Sequence, residues 1–385
     1  MAIEGRSETR SGRIRLGMVG GGNDAFIGGV HRIASRIDDK YELVAGALSS
    51  TPEKSRASGE ALGLPRIYDD FKQMAIREAR LKNGIEAVSI VTPNHVHYAA
   101  AKEFLKRGIH VICDKPLTST LADARKLVEA AEKADALFIL THNYTGYPMV
   151  RQAREMVANG DLGTLRVVQV EYPQDWLTEE QDFKQAEWRT DPARSGAGGS
   201  TGDIGTHAYN LLCFVTGLEA ESLAADLQAF VPGRKVDDNA HVLLRFKGGA
   251  RGMLWSSQVA PGNENALKLR VYGDKGGLEW SQEDPNYLWF TPLGEPKRLI
   301  TRNGAGAGDA AARMSRVPPG HPEGYLEGFA NIYGEAAEAI LAFREGRKPP
   351  AEIVYPTVHD GLKGVRFVDA CVRSSARNAA WISLD

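Results

Sequence analysis

The stretch Gly20-Gly21-Gly22-Asn23-Asp24-Ala25-Phe26-Ile27-Gly28 follows the apolar run 14–19 and precedes a helical pattern over 25–36. Glycines crowded between a strand and a helix leave the chain few options. Without a Cβ the backbone can turn tightly and approach a pyrophosphate, while the helix N-terminus offers unpaired N–H groups and a positive dipole end. The segment therefore predicts a parallel α/β unit that holds a dinucleotide. Gly20 and Gly22 have the expected first spacing; the third position is either Ala25 or Gly28, and Gly28 would imply a longer phosphate loop. A plain strand-to-helix turn is the bland alternative. Phe26 and Ile27, where the helix opens, join Gly20 and Gly22 as candidate cofactor contacts.

Short runs rich in Val, Ile and Leu at 14–19, 42–48, 86–91, 109–113 and 137–141 alternate with helical patterns at 25–36, 52–62, 98–106 and 121–134. Such alternation predicts a doubly wound parallel sheet, a Rossmann domain over 13–145. Beyond it the rhythm changes: strand-like runs at 165–172, 222–230, 240–246, 250–258, 267–272, 278–280 and 287–290 are joined by short turns. One helix at 204–215 and two more, at 324–344 and 357–376, complete the pattern. Residues 146–385 are thus expected to form an α+β domain with an antiparallel sheet, its closing helices able to pack back on the first domain. Segment 303–319, rich in Gly, Ala and Pro, reads as a loop or lid. Residues 1–12 read as a disordered polar tail; Ile3-Glu4-Gly5-Arg6 in it is similar to a protease-cleavage linker, and a native tail reads the same way.

A chain of 385 residues exceeds one ordinary hydrophobic core, which agrees with two domains. Its 47 Lys and Arg balance 49 Asp and Glu, so no excess charge would collect a nucleic-acid backbone or an anionic bilayer. Cys113, Cys213 and Cys371 stand far apart, suggesting neither disulfides nor a thiolate metal site. No apolar run approaches the ~18 residues that span a bilayer. A cytoplasmic location is the expectation.

Polar residues cluster where strands should end. After the second strand, Ser49, Ser50 and Lys54 stand where an acidic residue would bind the ribose 2′-hydroxyl of NAD, a slight lean toward NADP. The serines could equally meet a bare ribose or cap the next helix. Thr92, Asn94 and His97 follow the strand at 86–91 and would line the cofactor cleft; for Asn94, helix N-capping is an equal alternative. His95 and His97 lack the carboxylate or thiolate that would complete a metal shell, so no metal is expected. Asp114 and Lys115 follow 109–113 and aim at the same cleft, and Asn143 and Tyr144 follow 137–141. In the second half Asp203 and His207, at i and i+4, share a helix face, so the carboxylate could orient the imidazole. Gln174, Trp176, Trp188 and Arg189 offer planar faces and bidentate polar groups that suit a sugar ring, although both tryptophans could instead be core anchors.

Strand and Gly-rich turn, Thr92-Pro93-Asn94-x-x-His97, Lys115-Pro116 and Asp203-x-Gly205-x-His207 together resemble the glucose–fructose oxidoreductase, inositol dehydrogenase and rhizopine catabolism (Gfo/Idh/MocA) family, over about residues 13 to 290 or beyond. The resemblance implies a Rossmann domain, an α+β domain whose open antiparallel sheet makes a homodimer or homotetramer, and NAD(P)-dependent oxidation of a sugar or cyclitol hydroxyl. It makes Lys115 the catalytic lysine and matches Asp203 and His207 to the family's Asp and His. The chain departs from it at Asp114, where glutamate is usual, and in the length of the glycine loop. Lys115–Pro116 is the expected place for a cis peptide.

Oxidising an alcohol carbon requires a base for the hydroxyl proton. A lysine would need its ordinary pKa of ~10.4 lowered by about 3 units, whereas histidine starts at ~6.5. His207 is therefore the expected base, with Lys115 at the reacting oxygen and Asp203 orienting His207 or binding a substrate diol; exchange of the Lys and His roles stays open. Two other functions use the same architecture: redox-assisted cleavage or oxidation of a glycoside, and non-catalytic sensing of a sugar or dinucleotide.

Overall fold

A computed structural model describes residues 12–23, 25–182 and 184–384. Six parallel strands form the first sheet: β1 (Ile14–Gly20), β2 (Tyr41–Ala47), β3 (Arg66–Ile67), β4 (Ala87–Val91), β5 (His110–Cys113) and β6 (Phe138–Leu140), in the order β3-β2-β1-β4-β5-β6. Helices α1 (Phe26–Ile37), α2 (Pro52–Ala61), α3 (Phe71–Glu78), α4 (Asn94–Leu105) and α5 (Leu121–Glu132) connect them. Strand order reverses between β1 and β4, so their carboxyl ends open a crevice of the kind that binds ligands. β4 and β5 are buried throughout, which is why they read as unbroken apolar runs. In this half two elements escaped the sequence pattern: β3 is only two residues long, and α3 is a two-turn helix that starts from Asp70, whose carboxylate accepts the Gln73 N–H at 2.8 Å.

The second sheet has nine strands in the order β14-β13-β12-β11-β7-β10-β9-β8-β15. These are β7 (Leu165–Pro173), β8 (Ala220–Gln228), β9 (Asn239–Phe246), β10 (Arg251–Ser257), β11 (Lys268–Gly273), β12 (Gly276–Ser281), β13 (Tyr287–Pro292), β14 (Arg298–Thr301) and β15 (Ile382–Ser383). All neighbours are antiparallel except β7 and β10. That exception follows from the connection: the chain leaves β7 through helices and returns by way of β8 and β9. One sheet face packs on helices α6 (Pro148–Ala158) and α9 (Thr206–Thr216), burying Val168, Val170, Leu254, Leu269 and Leu278. Alternate residues on the other face, among them Val167, Leu243, Met253 and Trp289, stay exposed. Short helices α7 (Lys184–Arg189), α8 (Pro192–Ser195) and α10 (Asp309–Arg313) precede the closing pair, α11 (Tyr325–Arg344) and α12 (Val358–Ser375).

α11 belongs physically to the first sheet. Phe329, Ile332, Tyr333 and Ile340 share a core with Ile14, Leu16 and Val30, and the Tyr41 hydroxyl donates to the Tyr333 carbonyl at 2.9 Å. α12 bridges the two sheets, with Val365 in the first core and Phe367 in the second. Segment 303–319, read as a loop or lid, is a loop tied down as a strap. Arg316 grips Asp38 and donates to Asn331 at 2.9 Å, Arg313 pairs with buried Glu335, and Arg302 donates to the Val317 carbonyl at 2.8 Å. Several charge-assisted bonds hold it at both ends and in the middle.

Candidate active site

The carboxyl edge of the first sheet and the helical entry to the second enclose a cleft of about 1260 Å³. At its β1 end Gly20 and Gly21 take φ of 77° and 72°, which side-chain-bearing residues rarely adopt. A Cβ on Gly28 would lie 2.4 Å from the Gly21 Cα, so the close strand–helix approach falls at Gly28. Gly28 is thus the third glycine left open by the sequence, and the loop is long. Ile27 lines the cleft, and Phe26, 67% exposed, stands at its mouth. Ser49, Ser50 and Lys54 line the neighbouring stretch together with Asp69 and Asp70. These two carboxylates were not read from the sequence; Asp69 is held by Arg56 through two 3.0 Å bonds, and Asp70 caps α3.

Thr92 and Asn94 lie at the end of β4 in the cleft wall, and the Asn94 amide donates to the Ser195 carbonyl at 2.9 Å instead of capping its helix. His97 is not a cleft residue. One turn into α4 its ring points inward, fully buried, with Nδ1 2.8 Å from the Pro116 carbonyl and Nε2 2.9 Å from the Thr92 carbonyl. It fastens the loops after β4 and β5 from behind. A dinucleotide fits this end: besides the glycine cradle, the Thr92 Oγ1 and the Asn143 Nδ2 are buried in the cleft wall without a hydrogen-bond partner.

At the end of β5, the Asp114 carboxylate accepts the Lys115 N–H and the Thr141 hydroxyl, both at 3.0 Å. Burial pushes its pKa up, but His31, Lys115 and His97 outweigh burial and hold it below the usual carboxylate range. The Lys115–Pro116 peptide is cis. Lys115 Nζ donates to Asp203 Oδ1 at 2.8 Å and to the Asp203 carbonyl at 2.6 Å.

Asp203 sits in a π-helical turn, Thr201–Gly205, that runs directly into α9. Its Oδ2 accepts from Arg189 Nε and from Gln258 Nε2, both at 3.0 Å. Burial opposes its charge, but Lys115 and Arg189 hold the pKa well below the usual carboxylate range. This corrects the expectation that Asp203 orients His207. Its carboxylate is turned toward the ammonium and the guanidinium, and the buried His207 Nδ1 has no hydrogen-bond partner. His207 is instead fixed by packing, its ring edge-on to Tyr144 at 4.9 Å and to His142 at 5.4 Å. Burial, Lys115 and His142 depress its pKa well below the ordinary value, against the opposing pull of Asp203. The imidazole is therefore neutral at neutral pH and able to accept a proton.

Past His207 the wall is polar and aromatic. Tyr144 and Tyr172 share a short hydroxyl–hydroxyl bond; Asn265 Oδ1 accepts from Tyr172 at 2.8 Å and from Gln174 at 2.7 Å, and Gln174 accepts the Trp176 N–H at 2.9 Å. Arg189 lies over Trp188 at 4.4 Å. Neither tryptophan is a core anchor; both are half-buried in the cleft wall. Sequence reasoning missed Gln258, Glu264, Asn265, Gln282 and Glu283 because they lie in the loops after β10 and β12 without a motif. Their common signal is position at one edge of the second sheet. Among the described residues no group of three or more His, Cys, Asp or Glu is placed to hold a metal, and no helix is long and apolar enough to cross a membrane.

Known proteins share this plan. Residues 14–142 match the model of an oxidoreductase family with an NAD-binding Rossmann fold, and 150–279 match the GFO/IDH/MocA C-terminal domain. The uncharacterized oxidoreductase YfiI of Bacillus subtilis is 35% identical, with 96% of each chain covered. A crystal structure of an oxidoreductase from Sinorhizobium meliloti is 70% identical, covering 96% of this chain and 99% of that one, with a TM-score of 0.88. An inositol dehydrogenase homologue from Azotobacter vinelandii, solved with NADH and myo-inositol, is 36% identical over 98% of this chain and 99% of its own, with a TM-score of 0.91. With both halves matched and the cleft built at their junction, the chain belongs to the Gfo/Idh/MocA family of NAD-binding oxidoreductases.

Proposed function

We propose that this oxidoreductase converts a ring hydroxyl of a sugar, sugar derivative or inositol to a ketone, using NAD(P). The reading rests on one observation above all: Lys115, after β5 of the first sheet, and His207, on α9, line one cleft with Asp203, which pairs with Lys115 and acts on His207 only through its charge. The bound dinucleotide supplies the hydride acceptor. His207, kept neutral by burial, takes the hydroxyl proton. Lys115, held by Asp203, donates a hydrogen bond to the reacting oxygen. Two cations, Lys115 and Arg189, face one carboxylate, and the surplus positive charge favours alkoxide character as the proton leaves.

Gln174, Trp176, Trp188, Arg189, Tyr144, Asp203 and His207 form the substrate wall, to which Asn265 and Glu264 add. Amides, hydroxyls and indole faces suit a neutral polyhydroxylated ring. Gly20, Gly22, Phe26, Ile27, Ser49, Ser50, Lys54, Thr92, Asn94, Asp114 and Asn143 form the dinucleotide wall. We propose further that the exposed sheet face carrying Val167, Leu243, Met253 and Trp289 joins copies of the chain. The test is spectrophotometric: NAD and NADP reduction with a panel of inositols, aldoses and anhydrosugars. Reduction by at least one ring polyol is expected, and none by any member would refute the substrate class.

A further inference from the structure

Behind Lys115, on the side away from the cleft, lies a polar group that the reaction as described does not use. His31, on α1, is fully buried. Its Nδ1 lies 2.9 Å from the hydroxyl of Tyr333 on α11, and that hydroxyl is 2.8 Å from Ser89 Oγ on β4. The other ring nitrogen, Nε2, is buried with no hydrogen-bond partner; it faces Asp114 Oδ1 at 3.8 Å, beyond hydrogen-bond range but close for a charge. Asp114 in turn holds the Lys115 N–H.

These contacts, with Ser89 Oγ also 3.3 Å from Nδ1, permit a proton arrangement that suits Asp114. Burial raises the pKa of Tyr333, so its hydroxyl stays protonated and can donate to Nδ1. A neutral ring that accepts at Nδ1 carries its hydrogen on Nε2, the nitrogen that faces Asp114. Asp114, mostly buried, keeps its bonds from Thr141 and the Lys115 N–H in any case, but an N–H on the His31 side adds a favourable partner for its charge and steadies the carboxylate from behind. The charged and titratable groups around Asp114 are His31 from α1, His97 from α4, Tyr325 and Tyr333 from α11, His142 after β6, and Cys113 and Lys115 on its own segment.

We propose that His31 is a positioning residue for the reaction: through Asp114 it fixes the main chain that carries Lys115, and Tyr333 sets the ring tautomer that makes this possible. The proposal rests on the reading that Lys115 works at the reacting oxygen. It assigns a catalytic consequence to Tyr333, a side chain on α11 whose ring lies under the site without entering it.

The experiment compares Tyr333→Phe, His31→Phe, His31→Gln and Lys115→Ala in the full-length enzyme, measuring kcat, KM for substrate and dinucleotide, the pH profile of kcat, and Tm. Tyr333→Phe removes one oxygen and keeps the ring, so it decides the matter should His31→Phe not fold. Tyr333→Phe is expected to lower kcat about tenfold and His31→Phe about 100-fold, with dinucleotide KM within about twofold and an altered pH profile. His31→Gln, which can still present an N–H to Asp114, should recover most of the loss. Wild-type kcat and pH profile in Tyr333→Phe and His31→Phe, with only Tm reduced, would overturn the proposal while an inactive Lys115→Ala left the role of Lys115 standing. Full activity of Lys115→Ala would remove the reading on which it rests.

Discussion

Lys115 Nζ lies 2.8 Å from Asp203 Oδ1, joining the end of a strand in the first sheet to the turn that opens α9 beneath the second. Residues 88 positions apart thereby become one device. The carboxylate keeps the ammonium in place, and it does so without touching the imidazole one helical turn on.

Asp203→Asn tests that division of labour. The amide removes the negative charge that holds Lys115 and Arg189 while keeping the shape. A loss of about 100-fold in kcat is expected, with dinucleotide KM within about twofold. Stopped-flow and steady-state kinetics on the same preparation check it; kcat within twofold of wild type would show the ion pair to be ornamental to turnover.

pH dependence follows from the histidines. His207 must be unprotonated to accept a proton, and its depressed pKa predicts that the acid limb of kcat/KM falls below the ordinary histidine value of about 6.5. An acid limb above that value would contradict the burial argument.

Stability should decline over a related range. Burial lowers His110 and His142 to about 4, below their unfolded values near 6.5. In that window the unfolded chain binds more protons than the folded one, so stabilisation complete above the unfolded pKa is lost as pH falls toward the folded one. Tm measured from pH 7.5 to 4.5 should drop progressively below pH 6.5, and a His110→Phe, His142→Phe double variant should flatten the slope.

Gly28→Ala addresses the phosphate loop. Its methyl group would meet the Gly21 backbone at 2.4 Å, where neither partner is a flexible side chain. Overpacking of this kind costs about 1–3 kcal/mol, and dinucleotide affinity should fall at least about tenfold. Calorimetric titration with NAD gives the number, with Gly29→Ala as the control, since a Cβ there meets nothing nearer than 3.9 Å.

Much of this was legible in the chain because local patterns carry it. Buried parallel strands read as apolar runs, and Gly20, Lys115, Asp203 and His207 sit where a strand or helix end can be read from its neighbours. Direction of a side chain could not be read. The spacing of Asp203 and His207 puts them on one helix face, but two cations from elsewhere in the chain capture the carboxylate. His97 looked like a cleft residue because it follows β4, and it turns inward because α4 has made its first turn by then. Asn265, Gln258 and Gln282 enter the site only because the loops after β10 and β12 meet Tyr172, Asp203 and Tyr147, which lie far from them in sequence.

The most direct measurement is turnover by His207→Ala and Lys115→Ala, each beside its dinucleotide affinity, with the best substrate from the polyol panel. Both variants should bind NAD within about twofold of wild type and lose at least about 1000-fold in kcat, because each removes a group that acts on the reacting hydroxyl. Undiminished turnover by His207→Ala would contradict proton abstraction by that imidazole, and undiminished turnover by Lys115→Ala would dissolve the pairing of the two residues around one oxygen.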